Sequence, residues 1–485
     1  MNHPWIPAIV AALACACSSE GGGPALSHLL VPQHPFLAPN GRSNMHNDAY
    51  MSDSYEIAGP ARLDATATVK SYAAGVNTCA TVVFDETGRV ITTGAEMLSF
   101  SIRLIDPLTL ESLADYPLPP RDPSDPLFPY DDTSGATYFV LDHAGRVILA
   151  DAENAVQLLR FDDARSAFEL VARFDLRPAL APRTPPSRDH LQMAIPDWSG
   201  KYLWFTTRYG RVGTLDPSSG SFRTIDLDGE EIENSFAVGE DGAYIVTDHA
   251  LYRFSAAADG TPVADWRTEY DRGSRVKPGQ FNQGSGTTPH LFDEFVAIAD
   301  NAEPQMNVLF LRRPDGTTAC SVPVFPAGRS GTENALPGFA RRGPHGLEYT
   351  VFADNNYGID RSHIQLEGRS WLDHEGGMAR IDMRPDGNGS WICEVVWHSP
   401  EKSSGVLPKL SLKNGLLYIY TYEHRADAEY DFFLTALDGN SGKRRLRIPT
   451  GTGLEAANFG SPMAIGPDGA AYLGTLGGLL RVHDE

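Results

Sequence analysis

Carboxylates, amides and imidazoles recur along this sequence in short clusters that flank apolar runs. Asp189-His190, Glu233-Asn234-Ser235, Thr287-Thr288-Pro289-His290, Glu333-Asn334 and Asn458 stand just before such runs. Asp151, Glu153 and Asn154, then Asp248-His249, Asp300-Asn301, Asp354-Asn355-Asn356 and Glu423-His424 stand just after them. Oxygen donors in this number suit a hard cation such as calcium, which takes about six to eight oxygen ligands. The expected ligand set is Glu233, Asn234, Asp300, Asn301, Glu333, Asn334 and Asp354. Such a cation polarises an ester or lactone carbonyl, with His190 and His290 as the candidate acid and base. A transition-metal site built on several His is a rival reading, although no two His stand at a tight motif spacing. Each single Asp or Asn also fits a plainer role, capping a turn through its side chain.

The elements that must position these clusters are short strands. Thr81-Val82-Val83-Phe84 leads into Asp85-Glu86-Thr87-Gly88, and Val90-Ile91-Thr92-Thr93 returns. Ile102 to Ile105 then enters a second turn at Asp106-Pro107, and Tyr116 to Leu118 closes the unit. Gly and Asp supply the backbone angles of tight hairpins, and β-branched residues suit a pleated, half-buried surface. The first turn recurs at Asp142-His143-Ala144-Gly145, Asp197-Trp198-Ser199-Gly200, Asp241-Gly242 and Asp468-Gly469. Asp85 and Asp468 are 383 residues apart, about 55 per unit over seven intervals, which a four-stranded propeller blade with its loops can fill.

Units begin near residues 79, 135, 190, 232, 286, 333, 405 and 460, and the sixth carries an insertion around 360–376. The expected fold is an all-β propeller of eight four-stranded blades. The last unit, Met463 to His483, has three clear strands, and Ala65 to Tyr72 is expected to supply its fourth and close the ring. Strand one of each blade lines the channel and strand two returns beside it. The starts of strand one and the ends of strand two therefore meet at one mouth, where the polar clusters fall. Trp204, Trp266, Trp391 and Trp397 are expected to pack between blades.

Two resemblances follow from these residues. Thr214-Leu215-Asp216-Pro217-Ser218-Ser219-Gly220 and Ala436-Leu437-Asp438-Gly439-Asn440-Ser441-Gly442-Lys443 resemble the repeat of quinoprotein-type eight-bladed propellers. That family includes dehydrogenases using pyrroloquinoline quinone and scaffold lipoproteins of outer-membrane assembly. The adjacent-cysteine pair of the dehydrogenases is missing here. The pairs Glu233-Asn234 and Glu333-Asn334 are similar to the calcium-holding residues of gluconolactonase-type propellers. This resemblance implies calcium at the channel mouth.

Composition bounds the rest. A hydrophobic share of 42% and 10% aromatics fit a globular chain, and 46 Gly with 35 Pro fit many turns. The formal net charge of −22 leaves no basic footprint for nucleic acid. The sequence contains no P-loop, dinucleotide glycine motif, HExxH or GxSxG. Residues 1–17 read as a signal peptide ending in Ala12-Leu13-Ala14-Cys15-Ala16-Cys17, similar to a bacterial lipobox with Cys15 lipidated. Residues 18–60 read as a linker or N-terminal arm. His46-Asn47-Asp48 in it is assigned to the linker, with a cap over one face as the alternative. Residues 61–485 form the propeller. Cys79, Cys320 and Cys393 suggest neither a metal site nor a disulfide framework.

The expected protein is exported, periplasmic or at the cell surface, lipid-anchored and monomeric. It binds a small polar ligand at the channel mouth, as a calcium-dependent lactonase-type or esterase-type hydrolase. The first alternative is a non-enzymatic scaffold that binds an envelope protein, and the second is a quinone-dependent oxidoreductase. No nicotinamide, flavin or nucleotide signature is present.

Overall fold

The computed structural model describes residues 23–70, 77–96, 99–125, 132–180, 189–359, 374–427, 429–458 and 460–485. Cys15, the apolar leader and most of the 360–376 insertion lie outside these residues.

Eight antiparallel sheets follow one another as the blades of an all-β propeller, each with strands in the order one, two, three, four. The innermost strands are Asn77–Phe84, Phe139–Leu141, Leu191–Pro196, Ala237–Gly239, His290–Leu291, Gly338–Gly343, Lys409–Ser411 and Met463–Ile465, in blades 1 to 8. Burial explains the order. Every residue of Leu191–Pro196 is buried, whereas the outermost strand Ala167–Asp175 alternates between half-buried and exposed. The closing strand is as expected: Thr66–Lys70 pairs antiparallel with Gly478–His483, with Thr68 opposite Arg481. No sheet edge is left between the two ends of the ring.

The recurring Asp of the first turn has a physical task. Asp85 accepts the N–H groups of Thr87 and Arg89, both at 2.9 Å, and takes the Arg89 guanidinium at 2.6 Å. Asp142 repeats this with Ala144 and Arg146, again at 2.9 Å. One carboxylate thus satisfies the backbone donors that a tight hairpin leaves over. The outer turns lock neighbouring blades. Gly316 and Gly442 have φ of +70° and +68°, and a Cβ on either would lie 2.6 Å from Trp266 or Trp397 of the preceding blade. Trp266 donates to Arg313 O, and Trp397 donates to Gly439 O. Only glycine fits there.

Two features differ from the sequence reading. Cys320 and Cys393, on the outermost strands of blades 5 and 6, form a disulfide that their 73-residue separation conceals. The second feature is the arm. Residues 43–55 are buried throughout, and their carbonyls accept from the innermost strands of five blades. The bonds run from Leu141 to Ser43, Val238 to Ala49, Leu291 to Tyr50, Gly338 to Ser52 and Leu410 to Asp53. Ser54–Tyr55 adds a fifth, parallel strand inside blade 7. The arm therefore fills the channel instead of tethering the ring.

Candidate functional site

The arm closes the channel from the turn side. Phe36 packs on His143 and His34 on Trp198, both in strand-one turns, and Leu29 donates to Ala340 O of blade 6. From that face the chain descends until His46 meets Ser235 Oγ at 2.9 Å and Thr288 Oγ1 at 3.4 Å. Ser235 and Thr288 belong to the mouth at the opposite end. Beneath the mouth residues the arm thus buries His46 and its partner Asp53, which lie 3.0 Å apart.

His190 is the mouth residue with the clearest chemical geometry. Its Nε2 lies 2.8 Å from Asp125 Oδ2, both side chains are buried, and its Nδ1 has no partner among the described residues. A carboxylate at Nε2 holds the proton there, so Nδ1 presents its lone pair. The ring forms part of the wall of a pocket of about 200 Å³ that also includes Ser134, Glu153, Asn154 and Arg177. Backbone bonds set its position. Arg208 N donates to His190 O, and Asn154 Oδ1 accepts from Leu191 N.

His290 is built differently. Its Nδ1 donates to Leu336 O at 2.7 Å, and its ring stacks on Phe292 with centroids 4.3 Å apart. Burial pushes its pKa down to about 4, so the ring is neutral. His190 and His290 stand on blades 3 and 5, and they share no contact.

The oxygen donors of blades 4 to 6 split into two groups. Asp354 takes Asn334 Nδ2 at 2.7 Å, Asn356 Nδ2 at 2.9 Å and Thr332 Oγ1 at 3.2 Å. Glu333 lies beside them, against Gly286, while Asn234 donates to Ser285 O. Asp300 instead accepts Asn307 N at 2.6 Å and Asn307 Nδ2 at 2.8 Å, and Asn301 donates to Arg272 O. Burial raises the Asp300 carboxyl to about 6 and moves Asp354 in the same direction. Asp300 and Asp354 are therefore occupied by hydrogen bonds of the fold. Among the described residues, no three His, Cys, Asp or Glu side chains converge as a metal cage.

Sequence reasoning missed Asp125, Arg208 and the arm. Asp125 lies in the connection between blades 1 and 2, 65 residues before the His190 it holds. Arg208 directly follows strand two of blade 3 and is 3% exposed, and only its position beside the strand end could have flagged it.

Fold and site together define an eight-bladed propeller whose channel is filled by its own arm and whose polar clusters gather at one mouth. No family model matches the chain. An uncharacterized protein of Archaeoglobus fulgidus is 27% identical over 321 residues, covering 57% of this chain and 58% of that one. The chain therefore spans less than two thirds of that relative's length. Similar solved structures include the WD40 domain of SCAP from fission yeast, with TM-score 0.47, 10% identity, and coverage of 86% of this chain and 97% of that one. BamB from Moraxella catarrhalis gives TM-score 0.44 at 11% identity, over 86% and 97% of the two chains. A Staphylococcus aureus virginiamycin B lyase with quinupristin gives 0.38 at 10%, over 73% and 95%. These likenesses concern the fold alone.

Proposed function

We propose that this protein is an exported cell-envelope propeller that binds a small polar ligand at its channel mouth, with His190 and Asp125 as a proton-handling pair. The observation that carries the reading is the His190 ring in a pocket wall, with a carboxylate on one nitrogen and no partner among the described residues on the other. That is the geometry of an oriented general base. A pocket of about 200 Å³ is smaller than the roughly 300–1,000 Å³ that encloses a drug-sized ligand, so the ligand is small. Export is supported by the Cys320–Cys393 bond, since such bonds persist in oxidising compartments. The Cys15 anchor belongs to the same proposal.

Asp300 and Asp354 accept hydrogen bonds from their own neighbours, and this reading routes no step through a cation. The scaffold reading draws on the exposed Leu170, Val171, Val263, Ile392 and Val396 of the outermost strands. Single apolar residues on a strand surface are ordinary, and they favour it less. The test is a thermal-shift screen of small carboxylates, sugars, polyols and lactones on the parent protein and on His190→Gln. Saturable stabilisation by one class, reduced at least tenfold in apparent affinity by the substitution, supports the proposal. Equal shifts in both proteins, or none in either, overturn it.

A further inference from the structure

Arg208 and His190 face each other just beyond the paired ends of the first two strands of blade 3, Leu191–Pro196 and Leu203–Thr207. Leu191 pairs with Thr207, and the next rung is closed by Arg208 N donating to His190 O. The antiparallel register of Leu191 and Thr207, carried one residue further, sets the two Cβ atoms about 5 Å apart on one side. Arg208 is 3% exposed and His190 is 6% exposed. The guanidinium reaches Glu231 with Nη2 at 3.1 Å, and its Nε and Nη1 have no partner among the described residues. A buried donor left without a partner costs about 1–3 kcal/mol, more when charged, so something that the protein does not supply belongs there.

Resting on the ligand reading above, we infer that this pair recognises a small hydroxycarboxylate. The Arg208 Nε and Nη1 groups are donors only, and they call for an anionic oxygen acceptor. His190 Nδ1 is the reverse, a lone pair held open by Asp125 on the far nitrogen, and it calls for an O–H donor. An anion with a hydroxyl next to it satisfies both at once. Acetate lacks the hydroxyl, and ethylene glycol lacks the charge.

The experiment is a ligand-observed NMR titration of the full chain with glycolate, acetate, ethylene glycol and inorganic phosphate. Glycolate is expected to bind at least tenfold more tightly than acetate or ethylene glycol. Arg208→Gln is expected to weaken glycolate at least tenfold. Arg208→Lys, which keeps the charge if the Gln variant folds poorly, retains part of the binding. Glu231→Gln removes a competing carboxylate and is expected to tighten it. Glycolate binding that Arg208→Gln leaves unchanged overturns the inference, and so does phosphate as the tightest probe. Neutral ligands that depend on His190 but not Arg208 overturn it while leaving the ligand reading intact. Absence of binding by every probe, together with a blank thermal-shift screen, removes both.

Discussion

Lys409, on the innermost strand of blade 7, donates its ammonium to the Asp53 carboxylate of the arm, and neither side chain has any exposed surface. The same ammonium donates to Met45 O, and His46 holds the other side of Asp53. Burial opposes ionisation of Asp53, but Lys409 and His46 outweigh it and hold the carboxyl below its usual range. The ion pair is the electrostatic tie between arm and ring. Lys409→Met strands a buried anion, which should cost about 3–5 kcal/mol in denaturant unfolding. Adding Asp53→Leu should recover at least half, because both charges are then gone. A loss below about 1 kcal/mol for the single variant would mean that the arm is not tied there.

Asp48, five residues earlier in the arm, has the opposite fate. Burial pushes its carboxyl up to about 7, offset only in part by hydrogen bonds from Ser52 and Tyr50. The folded chain therefore keeps a proton that the unfolded chain gives up near pH 4. The contribution of this group is fully present below pH 4 and is lost as pH rises through 7. Asp48→Asn mimics the protonated form. Its stability relative to the parent should climb between pH 4 and 7, by up to about 4 kcal/mol, and level off above. His34 and His290, both lowered to about 4, act in the opposite sense, but they are common to the two proteins and cancel. A flat difference curve would contradict the buried, protonated Asp48.

The architecture was legible because each blade repeats its own local chemistry. The Asp85 and Asp142 turns close through partners two and four residues away, so the pattern shows in the sequence itself. Thr66–Lys70 was legible as the closing strand because the last unit lacked one. Residues 43–55 carry no such signal. The bonds that seat them run to five blades far along the chain, from Leu141 to Leu410, and an arm placed by such distant partners has no periodicity. The Cys320–Cys393 bond and the Asp125–His190 pair were hidden for the same reason, since only the closed ring brings their strands and loops together. His190 was found as a mouth residue from strand order alone, whereas His290, found the same way, turned out to face Leu336 O and Phe292.

The central claim is that the mouth beside His190 is where this protein meets its ligand. The most direct measurement is an experimental structure with the strongest thermal-shift ligand bound. The account predicts density in the pocket beside Ser134, Asn154 and His190, with a ligand atom within hydrogen-bond distance of His190 Nδ1 and the His190–Asp125 contact kept near 2.8 Å. Density on the outer strands of the ring, with the mouth holding only water, would contradict it.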